Sequence, residues 1–183
     1  MTCQEFFDAH LNNKEKCKQL QKEASNFEWQ LQSASKYSPA PVQDDEKLLR
    51  QIISPIHLEF DFKTIKPTAF DDVFNKGLSV NRIQHIASEA AVMNSALLNI
   101  EFYNEANSEK PQRNLHGLAE FVSLEIREIK DFENKLALGV YDTALESDAS
   151  HADICHITED NKKNQRSIRS KLLDLANKRL TIY

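Results

Sequence analysis

The chemistry this chain could perform is concentrated in one strand-length segment. His151, Asp153, Cys155 and His156 lie within six residues, HADICH. In a strand, His151, Asp153 and Cys155 share one face, while Ala152, Ile154 and His156 share the other. His151 follows the acidic loop DTALESDAS, whose Asp142, Glu146 or Asp148 could orient its ring. A histidine tuned in that way can act as a general acid or base. The commoner role for such a residue is to hydrogen-bond the loop and close it. Cys155 would be a nucleophile only if a basic neighbour lowered its pKa, and His151 is two residues away on the same face. A single cysteine in a strand is more often a small core residue. A zinc site needs four converging ligands, and no CxxC or HxxxH pair is present, so no metal is expected.

A second set comprises Thr68, Ser79, Asn81, Arg82 and His85. Arg82 at a strand end could grip a phosphate or carboxylate through two parallel hydrogen bonds. It could equally pair within the chain, because residues 136–160 hold six Asp or Glu and no Lys or Arg. The intramolecular pair is the expected outcome. With three glycines in the chain, phosphate-loop and dinucleotide fingerprints are absent and no cofactor is expected. Residues 161–183 carry seven Lys or Arg against one acid, Asp174. Lys162, Arg166 and Arg169 share a helix face that could meet nucleic-acid phosphates or an acidic protein surface. A solvated face is the ordinary alternative.

These groups must be positioned by short strands and long helices. Residues 4–36 contain no Gly or Pro and read as one helix, with Cys17, Leu20, Ala24, Phe27, Leu31 and Ala34 on an alternating three–four seam. Leu20, Phe27 and Leu31 are its expected contacts where it docks a partner chain, and the commoner alternative is one arm of a helical hairpin packing on its own domain. SPAPVQDD over 38–45 is an expected linker. A short helix over 45–53 and strands over 57–63 and 77–83 follow, the first of these strands from the alternation of Leu58, Phe60 and Phe62. A helix over 84–107, a strand running into a helical turn over 118–132, strands over 136–141 and 152–157, and a helix over 158–179 complete the chain. The expected architecture is α+β: an N-terminal helical arm (1–37), a linker (38–45), and a domain (46–183) whose small mixed sheet of short strands is covered by two long helices.

With 183 residues, 28% charged and a net charge of −5, the chain reads as a soluble domain whose surface as a whole does not favour nucleic acid. No apolar run is long enough to span a bilayer, and the first ten residues lack a secretory pattern. Three scattered cysteines read as free thiols in a cytoplasmic protein.

PTAF…GLSVNR (67–82) followed by GVYDTALESDASHADI (139–154) resembles a pattern found in small bacterial proteins to which no activity is attached. In that pattern a "P-S/T-x-x-F…LSV" strand precedes a "P-L-P-x-x-P-A-H-A-x-V" loop and strand. Here Ala144 and Ala149 stand where prolines are expected. The resemblance implies a compact α+β domain that brings Ser79, Arg82 and His151 together. It also implies a setting beside toxin or phage-defence genes. A helical arm suited to a partner, beside a domain without a convincing catalytic set, gives the expected function: a non-catalytic accessory subunit of a bacterial complex. By analogy with the resemblance, that complex would be an anti-phage assembly with a nuclease or SMC-like ATPase partner. Nucleic acid would be met through the basic last helix or through that partner. The alternative is a small hydrolase or nuclease-type toxin using His151 with Arg82 and Asp153.

Overall fold

Leu48, Leu49, Ile52 and Ile53 explain why the centre of the sheet is difficult to read from the sequence. Their i, i+4 spacing imitates a helix, yet in the computed structural model, which describes all 183 residues, they form strand β1 (Lys47–Ser54). Leu48 and Ile52 enter the main core, whereas Leu49 packs on the opposite face, so the run is apolar because both faces are covered. β1 pairs with β2 (Leu78–Arg82) on one side and β3 (Asn114–Val122) on the other. β5 (His151–His156) joins β2, β4 (Leu138–Tyr141) joins β5, and β6 (Leu180–Ile182) joins β3. The order is β4-β5-β2-β1-β3-β6. Every pairing is antiparallel, which corrects the expected mixed sheet, while the α+β class is as read.

One face of the sheet is sealed by α5 (Lys162–Lys178) and by a 3-10 helix over Pro67–Phe74, which supply Ile168, Leu172, Phe70 and Val73 to a core of 23 buried residues. The expected half-buried strand over 57–63 is a loop. Only Leu58 enters the core, in an isolated bridge to Ile65. Phe60 and Phe62 are 98% and 60% exposed.

The opposite face is covered in two separate patches. α3 (Glu89–Ala106) buries Val92, Ala96 and Ile100, and Val92 packs against Leu49 and Leu118. It does not blanket the sheet as expected of a covering helix. At the β4–β5 end lies the N-terminal segment, which is not an arm. The expected helix over 4–36 divides into α1 (Cys3–Ala9), α2 (Lys16–Leu20) and a 3-10 turn (Glu28–Leu31). Phe6, Phe7, Cys17, Leu20 and Trp29 pack on Tyr141, Cys155 and Ile157. Helix propensity is a weak prior that contact with the sheet overrides. The break at Asn26 is tied down directly. Its side-chain amide donates to the carbonyls of Leu20 and Ile157, both at 3.1 Å, and its own carbonyl accepts from Tyr141 Oη at 2.6 Å. Gln30 caps the outer edge of β4 by accepting from Val140 N at 3.0 Å. The short α4 (Ser123–Arg127) continues β3.

The expected linker is clamped to the domain. Val42 is buried, the Val42 carbonyl accepts from Arg127 Nη2 at 2.8 Å, and Ser38 donates to Asp142. No helix is long and apolar enough to cross a membrane.

Candidate functional site

Between α1 and the β2–β5 ladder lies a cavity of about 540 Å³. Its floor is the sheet face that carries Ser79, His151 and Asp153, and its walls include Phe7, Lys16, Tyr37 and the 143–146 loop. The β5 side-chain alternation is as read from the sequence, and the antiparallel register sets Asp153 opposite Ser79.

The floor is a connected polar network. Lys16 Nζ lies 2.6 Å from Asp153 Oδ2, and both side chains are about 5% exposed. Burial opposes both charges. Nevertheless, Asp153 holds the Lys16 ammonium above the ordinary lysine range, and Lys16 holds the Asp153 carboxyl below the ordinary carboxylate range. Thr143 Oγ1 donates to Asp153 Oδ2 at 3.1 Å, and Ser79 Oγ donates to Oδ1 at 3.4 Å. Gly77, at φ +92°, is required here, because a Cβ would sit 3.0 Å from the Asp153 carboxyl carbon.

The same network fixes the tautomer of His151. Its Nδ1 lies 3.0 Å from the Thr143 carbonyl, which can only accept, so in the neutral ring Nδ1 carries the proton. Thr143 Oγ1, also at 3.0 Å, accepts from the same Nδ1–H while donating to Asp153. Nε2 makes no hydrogen bond within the protein and is open to the cavity. The site therefore presents a hydrogen-bond or proton acceptor backed by a buried carboxylate. The carboxylate that accepts from the Ser79 hydroxyl is a weak base, because Lys16 holds it ionised below the ordinary carboxylate range.

His151 and Asp153 thus come together, and Ser79 joins them. Arg82 does not, which corrects the trio suggested by the resemblance. Arg82 is fully buried and donates to both Glu46 oxygens at 2.7 Å and to the Ala40 carbonyl at 2.7 Å, with Asp142 at 3.1 Å. An intramolecular pair with the acidic 136–160 stretch is present through Asp142, but the bidentate partner, Glu46, lies outside that stretch. Glu46 and Asp142 share this one guanidinium. Burial pushes the Asp142 carboxyl up to about 6, while hydrogen bonds from Arg82 hold Glu46 below its usual range despite burial. Asp148, a suggested holder of His151, instead accepts from Asn81 and Ser150. Lys16 and Thr143 were invisible in the sequence. Lys16 lies 137 residues from its partner and reads as a solvent-facing helix residue.

Cys155 is buried against Cys17, and burial raises its thiol well above the ordinary range, the wrong direction for a nucleophile. His156 faces the other core. It accepts from Gln21 at 3.1 Å, donates to Thr158 at 3.0 Å, and is brought down to about 4 by burial. No group of three or more His, Cys, Asp or Glu side chains converges to hold a metal ion.

Among the expected partner contacts, Leu20 is fully buried and unavailable. Phe27 and Leu31 are 45% and 76% exposed, but Phe27 precedes and Leu31 ends a 3-10 turn, and they do not form a helical seam. Lys162 and Arg166 are exposed on α5, whereas Arg169 pairs with Asp71 and lies over the Phe74 ring at 5.1 Å.

Comparison with known proteins adds no relative. No family model, curated protein or solved structure matches the chain.

Proposed function

We propose that this chain is a non-catalytic interaction subunit, and that it docks its partner through α3 and not through an N-terminal arm. The observation that carries the reading is the outward face of α3. Leu97, Leu98 and Phe102 are 48%, 54% and 67% exposed, and Ala90 and Ala91 extend the apolar surface along the helix. Ala91, Leu98 and Phe102 form an apolar stripe away from Val92, Ala96 and Ile100 that the domain does not use, with Ala90 and Leu97 across Asn94 and Glu101 from it. The acids of this helix are Glu89, Glu101 and Glu105, and there is no Lys or Arg from residue 83 to 109. Charge complementarity therefore selects a basic amphipathic helix of another protein over a second copy, whose α3 would set acid against acid. The setting we propose, following the resemblance, is a bacterial defence complex with a nuclease or ATPase partner.

The hydrolase or nuclease alternative is weaker on two observations. Arg82 is committed to the core, and Asp8 and Glu146 line the His151 cavity, which disfavours a phosphodiester.

Co-expression with the products of flanking genes, together with size-exclusion light scattering, tests the proposal. A stable complex is expected, lost in Leu98→Lys/Phe102→Glu while the melting temperature is retained. A synthetic Lys/Leu amphipathic helix should bind and its Glu/Leu counterpart should not. Equal binding of the two peptides, or a homodimer broken by the same substitutions, would overturn the reading.

A further inference from the structure

The His151 cavity is unused by the docking surface on α3 and carries an inference of its own. We propose that it is a binding site for a small amphipathic primary amine, whose ammonium donates to His151 Nε2 while its apolar body lies against Phe7, Leu11 and Tyr37. Three observations converge on this class of ligand.

First, about 540 Å³ is the space of a small organic molecule, and the wall is partly apolar, with Leu11 and Tyr37 59% and 38% exposed. Second, the group presented at the floor is an acceptor. The Thr143 carbonyl assigns the proton to Nδ1, which leaves the Nε2 lone pair directed at the cavity. Third, the lysines that line the cavity are already paired, Lys16 with Asp153 at 2.6 Å and Lys76 with Asp72 at 3.5 Å. The carboxylates of Asp8 and Glu146 have no cation within ion-pair distance. Lys36 reaches them only at longer range, with its ammonium over the Tyr37 ring at 4.8 Å. A ligand carrying one positive charge and hydrogen-bond donors complements what remains, whereas an anion is repelled.

The test uses the full chain and near-isosteric probes: 2-phenylethylamine, 2-phenylethanol and 3-phenylpropanoate. They are titrated by calorimetry and by amide chemical shifts. The amine is expected to bind at least about tenfold more tightly than the carboxylate, with saturable shifts around Phe7, Ser79 and His151. His151→Leu and Glu146→Gln should each weaken the amine by about tenfold without lowering the melting temperature. Glu146 is exposed, so its substitution tests the proposal even if the His151 variant folds poorly. Long-range proton–nitrogen correlation should show neutral His151 protonated at Nδ1. The inference is overturned if the carboxylate binds as well as the amine, if no probe saturates below about 10 mM, or if the neutral ring is protonated at Nε2. None of these outcomes touches α3, so failure here leaves the docking proposal standing.

Discussion

At the scale of single residues, the two buried cations have opposite consequences for how the chain can be altered. Arg82 holds two carboxylates, Glu46 and Asp142, in the interior. Arg82→Met would leave both uncompensated, and a loss of about 3–5 kcal/mol is expected, measured by urea denaturation. Arg82→Lys keeps the charge but cannot span both Glu46 oxygens, so it should recover only part of that loss. Lys16 faces a single carboxylate beside a cavity that water can enter, so Lys16→Met should cost less than Arg82→Met. Arg82 was legible in part. An arginine ahead of a strand end and a distant stretch of six acids implied an internal pair, whereas its bidentate partner Glu46 lay in a segment read as a helix. His151 and Asp153 were legible because alternation along a strand is a local property. Lys16 was not, since nothing local distinguishes a lysine that reaches a distant carboxylate from one in water.

At the scale of elements, the outward side of α3 and the N-terminal segment exchange the roles that periodicity suggested for them. Leu98→Lys/Phe102→Glu removes exposed apolar area from a helix held by its other side, so the melting temperature should change by no more than a degree or two. Deleting residues 1–37 should do the reverse. It uncovers Tyr141, Cys155 and Ile157, leaves Asp153 without Lys16, and frees the edge of β4 that Gln30 caps. The truncated chain is expected to melt lower and to aggregate in size-exclusion chromatography, whereas an arm could be removed at little cost. The end of α3 was legible from helical spacing, but its start was not: the helix begins at Glu89 and not at residue 84, with Ser88 capping the first turn by accepting from Ala91 N at 3.2 Å. The N-terminal segment was not, because a three–four seam also describes short helices that turn back on the sheet. The 45–53 segment failed for a related reason, since a strand covered on both faces loses its alternation.

For the molecule as a whole, the titration of buried groups shapes the acid limb of stability. His156 is brought down to about 4 and His57 to about 3, chiefly by burial. Both folded values lie below the unfolded value of about 6.5, so this stability is present above about pH 6.5 and is lost as pH falls. For His156 the loss is of order 3 kcal/mol. Asp142 has the opposite sign. Its folded value of about 6 lies above its ordinary 3.8, so its contribution is fully present below about pH 4 and is lost as pH rises through 6. Melting temperature should therefore fall from about pH 7 to pH 4, and Asp142→Asn should steepen that fall by removing the opposing gain. A profile unchanged in the variant would show that Asp142 ionises normally.

The contact between Lys16 and Asp153 closes a loop that spans most of the chain. During synthesis, Phe6, Phe7 and Trp29 leave the ribosome long before β5 exists to receive them. A nascent chain stalled near residue 140 should accordingly present that aromatic cluster to chaperones, and release into the protease-resistant state should await β5 and Ile157.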